Sequence, residues 1–192
     1  KDEKVIYNNS IGDITAINNL DGKLIWQTPT QSSKIYKEAM FLNTSDLVIK
    51  NNSIIFSNNT NNFYSIDIET GSVNWKQKLN SSLRPVSVNE FIFTITNEGY
   101  FVVLSENGNI IRSTYLLKSM KKKKRKQIKF TGFVLGGKNI FLSSSIGRLF
   151  IINVLTGKVD EILKIDNEKI SRPSVYKNNL YITKNNSVIK LN

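Results

Sequence analysis

GDITAINNLDGKLIW, the stretch from Gly12 to Trp26, decides how this chain is read, because the same pattern returns three more times. Phe63 to Trp75 reads FYSIDIETGSVNW, Gly99 to Arg112 reads GYFVVLSENGNIIR, and Gly147 to Glu161 reads GRLFIINVLTGKVDE. Each copy runs from an alternating apolar segment through a polar residue (Asn18, Asp67, Ser105, Asn153) to a glycine (Gly22, Gly71, Gly108, Gly157), then into a second apolar segment. A short Asp or Asn side chain can accept from the backbone two residues on, and glycine takes positive φ without a Cβ clash. Each copy is therefore a predicted β-hairpin.

The four glycines stand 49, 37 and 49 residues apart, near the roughly 40 to 50 residues that a four-stranded propeller blade occupies. A β-sandwich would have no reason to repeat one signature. Two copies end in tryptophan, Trp26 and Trp75, flat side chains suited to wedging between neighbouring sheets. Arg112 and Glu161 take that place in the other two. The prediction is an all-β chain forming a partial β-propeller of about four to five antiparallel blades, each with four strands when complete.

Strands are predicted from Lys4 to Asn9 and through the first hairpin, then in three sets of four. The second blade takes Leu47 to Lys50, Ile54 to Ser57, Phe63 to Asp67 and Val73 to Lys78. The third takes Val86 to Val88, Phe91 to Thr96, Tyr100 to Ser105 and Ile110 to Leu116, and the fourth Thr131 to Leu135, Asn139 to Ser143, Leu149 to Asn153 and Val159 to Ile165. Arg84-Pro85 opens the third blade and Arg172-Pro173 opens a final one, proline being tolerated where no ladder donor is needed. Thr28 to Thr44 reads as a connection with a short helical turn around Tyr36 to Met40. The first blade lacks its first strand and the last stops after its third, so residues 1–192 are expected to be one propeller domain cut from a larger ring. A sheet ending at Leu191-Asn192 leaves an edge that a ring covers with a strand from the other terminus.

The chain has no cysteine and no histidine, which excludes disulfides, thiol chemistry, Cys/His zinc sites and imidazole-dependent triads. No run of 18 apolar residues and no charged-then-apolar leader is present. The formal net charge of +12 would ordinarily point to nucleic acid or an anionic membrane. Lys, Asn and Ile are abundant together, however, as an A- and T-rich genome would produce, and Asn-x-Ser sequons such as Asn8 to Ser10 follow from the same bias.

Lys121 to Lys126, KKKKRK, is the sharpest local anomaly. Six adjacent cations cannot be buried, so the segment is an exposed loop before the fourth blade. Either it contacts phosphate or anionic lipid, or it is a solvated loop without a ligand. Aromatics do not interleave with it, which argues against single-stranded nucleic acid. The carboxylates Asp21, Asp67, Glu69, Glu106 and Asp160 lie in or beside hairpin turns, and no pair is spaced for acid and base work. Gly136-Gly137 reads as a hairpin turn, and the aromatic set Phe91, Phe93, Tyr100, Phe101, Phe130, Phe133, Phe141 and Phe150 as core.

Ile66-Asp67-Ile68-Glu69-Thr70-Gly71 to Trp75, with Ala16-Ile17-Asn18 to Gly22 to Trp26, resembles the repeat of the PQQ-like propeller family, shared by quinoprotein dehydrogenases and BamB-type outer-membrane assembly lipoproteins. Gly147 to Asn192 is most similar to the end of the BamB type, so the chain looks like its C-terminal half. The resemblance implies an eight-bladed periplasmic propeller, held at the outer membrane through a lipid on an N-terminal cysteine absent here. It implies a non-catalytic scaffold with no cofactor, docking on a BamA-like barrel-assembly subunit, with nucleic acid not expected as a partner. Two alternatives stay open: a fragment of a quinoprotein dehydrogenase, whose acidic metal ligands and vicinal cysteines are not found here, and another interaction propeller that uses the basic loop.

Overall fold

The computed structural model describes residues 3–9, 12–30, 44–58 and 61–191. The helical turn expected around Tyr36 to Met40 lies outside them. Five antiparallel sheets follow one another along the chain. The first holds β1 (Lys4–Asn8), β2 (Ile14–Asn18) and β3 (Leu24–Thr28), and the second β4 (Val48–Lys50), β5 (Ser53–Asn58), β6 (Asn62–Asp67) and β7 (Val73–Gln77). The third holds β8 (Val86–Val88), β9 (Phe91–Ile95), β10 (Tyr100–Ser105) and β11 (Ile110–Tyr115). The fourth holds β12 (Phe130–Gly136), β13 (Asn139–Ser144), β14 (Arg148–Asn153) and β15 (Val159–Lys164), and the fifth β16 (Ser174–Tyr176), β17 (Asn179–Lys184) and β18 (Ser187–Leu191). Within every sheet the strands lie side by side in chain order. The expected all-β fold, with sheets of three, four, four, four and three strands, is the one observed.

Strand bounds differ from the sequence reading by a residue or two. Pro85 and Pro173, for instance, sit buried one position before β8 and β16 rather than within them. The middle strands explain why the apolar runs are continuous. Ile54, Ile55 and Phe56 of β5, and Phe101, Val102, Val103 and Leu104 of β10, are all buried, so both faces of these strands are covered. Such strands carry apolar residues at consecutive positions instead of alternating. The last strands of the four-stranded sheets, β7, β11 and β15, hold no buried residue.

The chain divides into two compact units, Lys1–Ser87 and Val88–Asn192, the division falling within β8. In the first unit one core cluster joins sheets one and two: Ile14, Ala16 and Trp26 pack with Ile54, Phe56, Tyr64, Ile66 and Ile68. The Tyr64 hydroxyl, whose pKa burial raises, donates to the Thr30 carbonyl at 2.7 Å. In the second unit Leu149, Ile170, Leu180 and Ile182 join sheets four and five, and Phe130 meets Phe150 edge-on at 5.6 Å.

The connection between sheets four and five is tied down electrostatically. Asp166 pairs with Lys184 of β17, and its Oδ1 accepts from the backbone N–H of Asn167 at 2.5 Å and Glu168 at 3.0 Å. The Lys184 ammonium and these amides hold the Asp166 carboxyl below its ordinary 3.8. A carboxylate depressed on folding stabilises fully above its unfolded pKa, and that contribution is lost as pH falls through the lower folded value. Asp166→Asn should therefore lower the urea midpoint at pH 7, with the gap to the parent chain closing as pH is taken below about 3.8. A gap unchanged across that range would show that the charge of Asp166 contributes nothing.

Candidate functional site

The polar residue and glycine build the same turn in three signatures, and a turn one residue shorter at Ser105–Gly108. Asn18 Oδ1 accepts from the N–H of Leu20 at 2.8 Å. Asp67 Oδ1 accepts from Glu69 and Thr70 at 3.0 and 2.8 Å, and Asn153 Oδ1 from Leu155 and Thr156, both at 3.0 Å. Ser105 is one atom shorter and instead accepts at Oγ from Asn109 N–H at 3.2 Å. The glycine N–H then returns to the carbonyl of the polar residue: Gly22 to Asn18, Gly71 to Asp67, Gly108 to Ser105 and Gly157 to Asn153. All four glycines have φ between 71° and 80°. Each hairpin also carries a bulge at the same place, so that Trp26, Trp75, Arg112 and Glu161 occupy one register position, opposite Ala16, Ser65, Val103 and Ile151.

Trp26 in the first unit and Arg112 in the second reach the turn of the following sheet. Trp26 Nε1 donates to the Ile68 carbonyl at 3.2 Å, its ring lies over Gly71, and Thr28 Oγ1 donates to the Gly71 carbonyl at 2.5 Å. A Cβ on Gly71 would stand 2.6 Å from the Trp26 ring and 2.8 Å from Thr28 Oγ1. In the second unit Arg112 performs the same joint with different chemistry. Its guanidinium donates to the carbonyls of Val154, at 3.0 Å, and Leu155, and a Cβ on Gly157 would meet Thr114 Oγ1 at 2.8 Å and Arg112 Cδ at 3.2 Å. Ile68 and Val154 each directly follow the polar turn residue, so the two joints are equivalent. Trp75 stacks on Phe63 of its own sheet at 5.9 Å, and Glu161 is exposed. The role of Arg112 escapes a search for tryptophan. The signal that marks it is threonine two residues later, Trp26-Gln27-Thr28 and Arg112-Ser113-Thr114.

The expected exposed loop at Lys121 to Lys126 contains one helical turn, α1 (Lys122–Arg125). Arg125 supplies the reason. Its Nε donates to the Met120 carbonyl and its Nη2 to the Lys118 carbonyl, both at 2.7 Å, and its guanidinium lies 5.8 Å from the Tyr115 ring centre. With Arg125 folded inward, Lys121, Lys122, Lys123, Lys124 and Lys126 are left exposed.

Among the described residues no three acidic side chains gather as metal ligands would. Asp21 pairs with Lys23 at 2.9 Å and Glu69 with Lys4, Asp67 is lowered chiefly by the Thr70 amide, and Glu106 and Asp160 are exposed. A cavity of about 300 Å³ between sheets four and five is lined by Phe141, Leu149, Ile151, Leu163, Val175 and Leu180, together with Leu191, glycines and asparagines, and no charged group.

The glycines separate conformation from space. Gly22 has positive φ but nothing within 4 Å of where a Cβ would stand, whereas Gly71 has positive φ and a filled neighbour. Gly22→Ala is expected to cost about 1 kcal/mol from the left-handed backbone alone, and Gly71→Ala about 2 to 4 kcal/mol once overpacking adds. Equal losses in a urea titration would refute the ring-over-glycine joint. At Arg112, alanine should cost about 2 kcal/mol through lost charge-assisted bonds, while tryptophan should cost under about 1 kcal/mol because the same receptor accepts either side chain. A tryptophan variant no better than alanine would show that the two joints are not interchangeable.

The family model described as outer membrane protein assembly factor BamB matches residues 1–114. No curated protein sequence matches the chain. Among solved structures, BamB from Moraxella catarrhalis is similar with a TM-score of 0.76 at 15% identity, over 99% of this chain and 55% of that one. The β-propeller domain of Cps50 (Swd1) from Myceliophteria thermophila gives 0.68 at 13%, over 94% and 58%, and the computationally designed Ika8 protein 0.70 at 14%, over 95% and 52%. At these identities the likenesses show the fold, and the chain spans little more than half the length of each. The family match takes in three of the four signature hairpins and both the Trp26 and Arg112 side chains, and with it the chain belongs to the BamB outer membrane protein assembly factor family of PQQ-like β-propellers.

Proposed function

We propose that this chain is a non-catalytic protein-interaction scaffold, a BamB-like subunit of the machinery that assembles β-barrels in the outer membrane. On this reading it works in the periplasm at the outer membrane, and docks on a BamA-like barrel-assembly subunit. Residues 1–192 then form a single propeller domain that contributes part of a larger ring. The family match over residues 1–114 carries the reading. The use of its distinctive residues supports it: turn carboxylates and asparagines are spent on backbone amides, and tryptophan and arginine on sheet-to-sheet joints, which is what a rigid platform requires.

A platform must offer contacts, and the turn tips do so. Leu20 and Leu155 occupy the same position of the signature turn, two residues past Asn18 and Asn153, and are 79% and 74% exposed. Aliphatic side chains held at rigid turn tips suit the apolar centre of a protein interface.

The test is capture of the 192-residue chain by the periplasmic part of the BamA-like subunit from the same source. Saturable binding is expected, with Leu20→Glu or Leu155→Glu each weakening it about tenfold or more if its tip is in contact, and with thermal unfolding unchanged. Absence of binding, together with dye reduction once pyrroloquinoline quinone and calcium are added, would overturn the scaffold reading in favour of a quinoprotein fragment.

A further inference from the structure

The net charge of +12 is not spread along the chain. From Asn107 to Val159 there is no Asp or Glu at all, and Lys and Arg number 12: Arg112, Lys118, the six of Lys121 to Lys126, Lys129, Lys138, Arg148 and Lys158. The chain totals are 27 basic and 15 acidic residues, so everything outside this stretch balances at 15 of each. A genome-wide leaning toward lysine codons would raise lysine everywhere and would not clear carboxylates from one segment. Placement, rather than composition, accounts for the excess.

Most of that charge sits in one connector. The two other inter-sheet connectors that are wholly described occupy residues 78–85 and 165–173, whereas residues 116–129 join β11 to β12 with five or six more. The surplus is about the length of the basic run itself. Both ends of the connector are fastened. Leu116 N–H donates to the Gly99 carbonyl and Ser145 N–H to the Lys129 carbonyl, Leu117 packs on Gly99, and Ile128 is buried. Arg125 closes the middle against the Lys118 and Met120 carbonyls. What remains outside is lysine: Lys118, Lys121 to Lys124, Lys126 and Lys129 are all exposed. None of them has a carboxylate partner among the described residues. Acidic residues on the adjoining segments are few: Glu98, in the turn that Leu116 and Leu117 touch, and Glu168, whose carbonyl lies at Gly147.

We propose that this lysine surface docks the protein on an anionic bilayer. The choice among polyanions follows from the side chains. Recognition of a carboxylate-bearing protein favours the planar fork of arginine, and the one arginine here is consumed internally. Stacking on the bases of a single strand needs aromatics or arginine at the surface, and the exposed positions here are lysine. Exposed lysines on a fastened turn are compact point charges without a pocket, which is what a laterally mobile sheet of lipid phosphates requires. Docking of this kind depends on charge and geometry alone, and holds whether or not the assembly partner binds.

The experiment is sedimentation of the 192-residue chain with vesicles of phosphatidylglycerol and phosphatidylcholine, and with phosphatidylcholine alone. Binding only to the anionic vesicles is expected, with release at about 1 M salt, where the Debye length falls to about 3 Å. Each lysine near an anionic surface contributes about fivefold, so replacing Lys121, Lys122, Lys123, Lys124 and Lys126 by Gln should weaken binding on the order of a hundredfold or more. The exposed Lys138 and Lys158 lie in turns at the opposite end of the fourth sheet, and K138Q/K158Q should bind as the parent chain does. Undiminished binding by the five-lysine variant, equal binding to neutral vesicles, or release by polyglutamate or an oligonucleotide at lower charge concentration than by added anionic lipid would each overturn the assignment.

Discussion

Within each compact unit of this protein, neighbouring sheets are joined by a side chain laid over a turn glycine. At Gly71 and Gly157 the turn has positive φ, and the missing Cβ leaves the space that Trp26 and Arg112 fill. The two requirements meet in one residue, since glycine alone supplies both the backbone conformation and the room. The bonds that complete each joint run to backbone carbonyls, of Ile68 and Gly71 in one case and of Val154 and Leu155 in the other. The hairpin turn is thus a structural element of its own sheet and a socket for its neighbour. The recurring bulge keeps the donor residue in register with that socket.

Much of this was legible in the sequence because a hairpin is local. Polar residue, glycine and flanking apolar runs lie within some fifteen residues, and turn chemistry at that range depends little on the rest of the chain. The strand counts of the sheets and most strand bounds followed from it. The joints were less legible because their partners lie 42 residues apart or more. Tryptophan announces itself as a packing residue, whereas Arg112 reads as a solvated charge until its carbonyl partners are seen. The helical turn at Lys122–Arg125 was hidden for a related reason. Six adjacent cations argue against order, and what orders them is a single guanidinium bonded back to carbonyls five and seven residues earlier.

Charge and fold are separable here. The sheets are held by apolar burial and turn hydrogen bonds, and the exposed side chains of the lysines in residues 118–129 take part in neither. The fastening of their connector uses main chain, Leu117, Ile128 and Arg125. A surface built this way can change its electrostatics with little effect on stability, because exposed charges contribute little to folding.

The joint at Gly71 and at Gly157 also bears on how such repeats diverge. When both halves of a contact are side chains, a change in one invites a compensating change in the other, and the pair leaves a statistical trace. Here the receiving half is a glycine and main-chain carbonyls, the same for either donor. Tryptophan serves one joint and arginine the other, over the same kind of receptor. Sheets of this kind can drift apart in sequence while the joint persists, and a search for correlated substitutions would pass over the contact that holds them together.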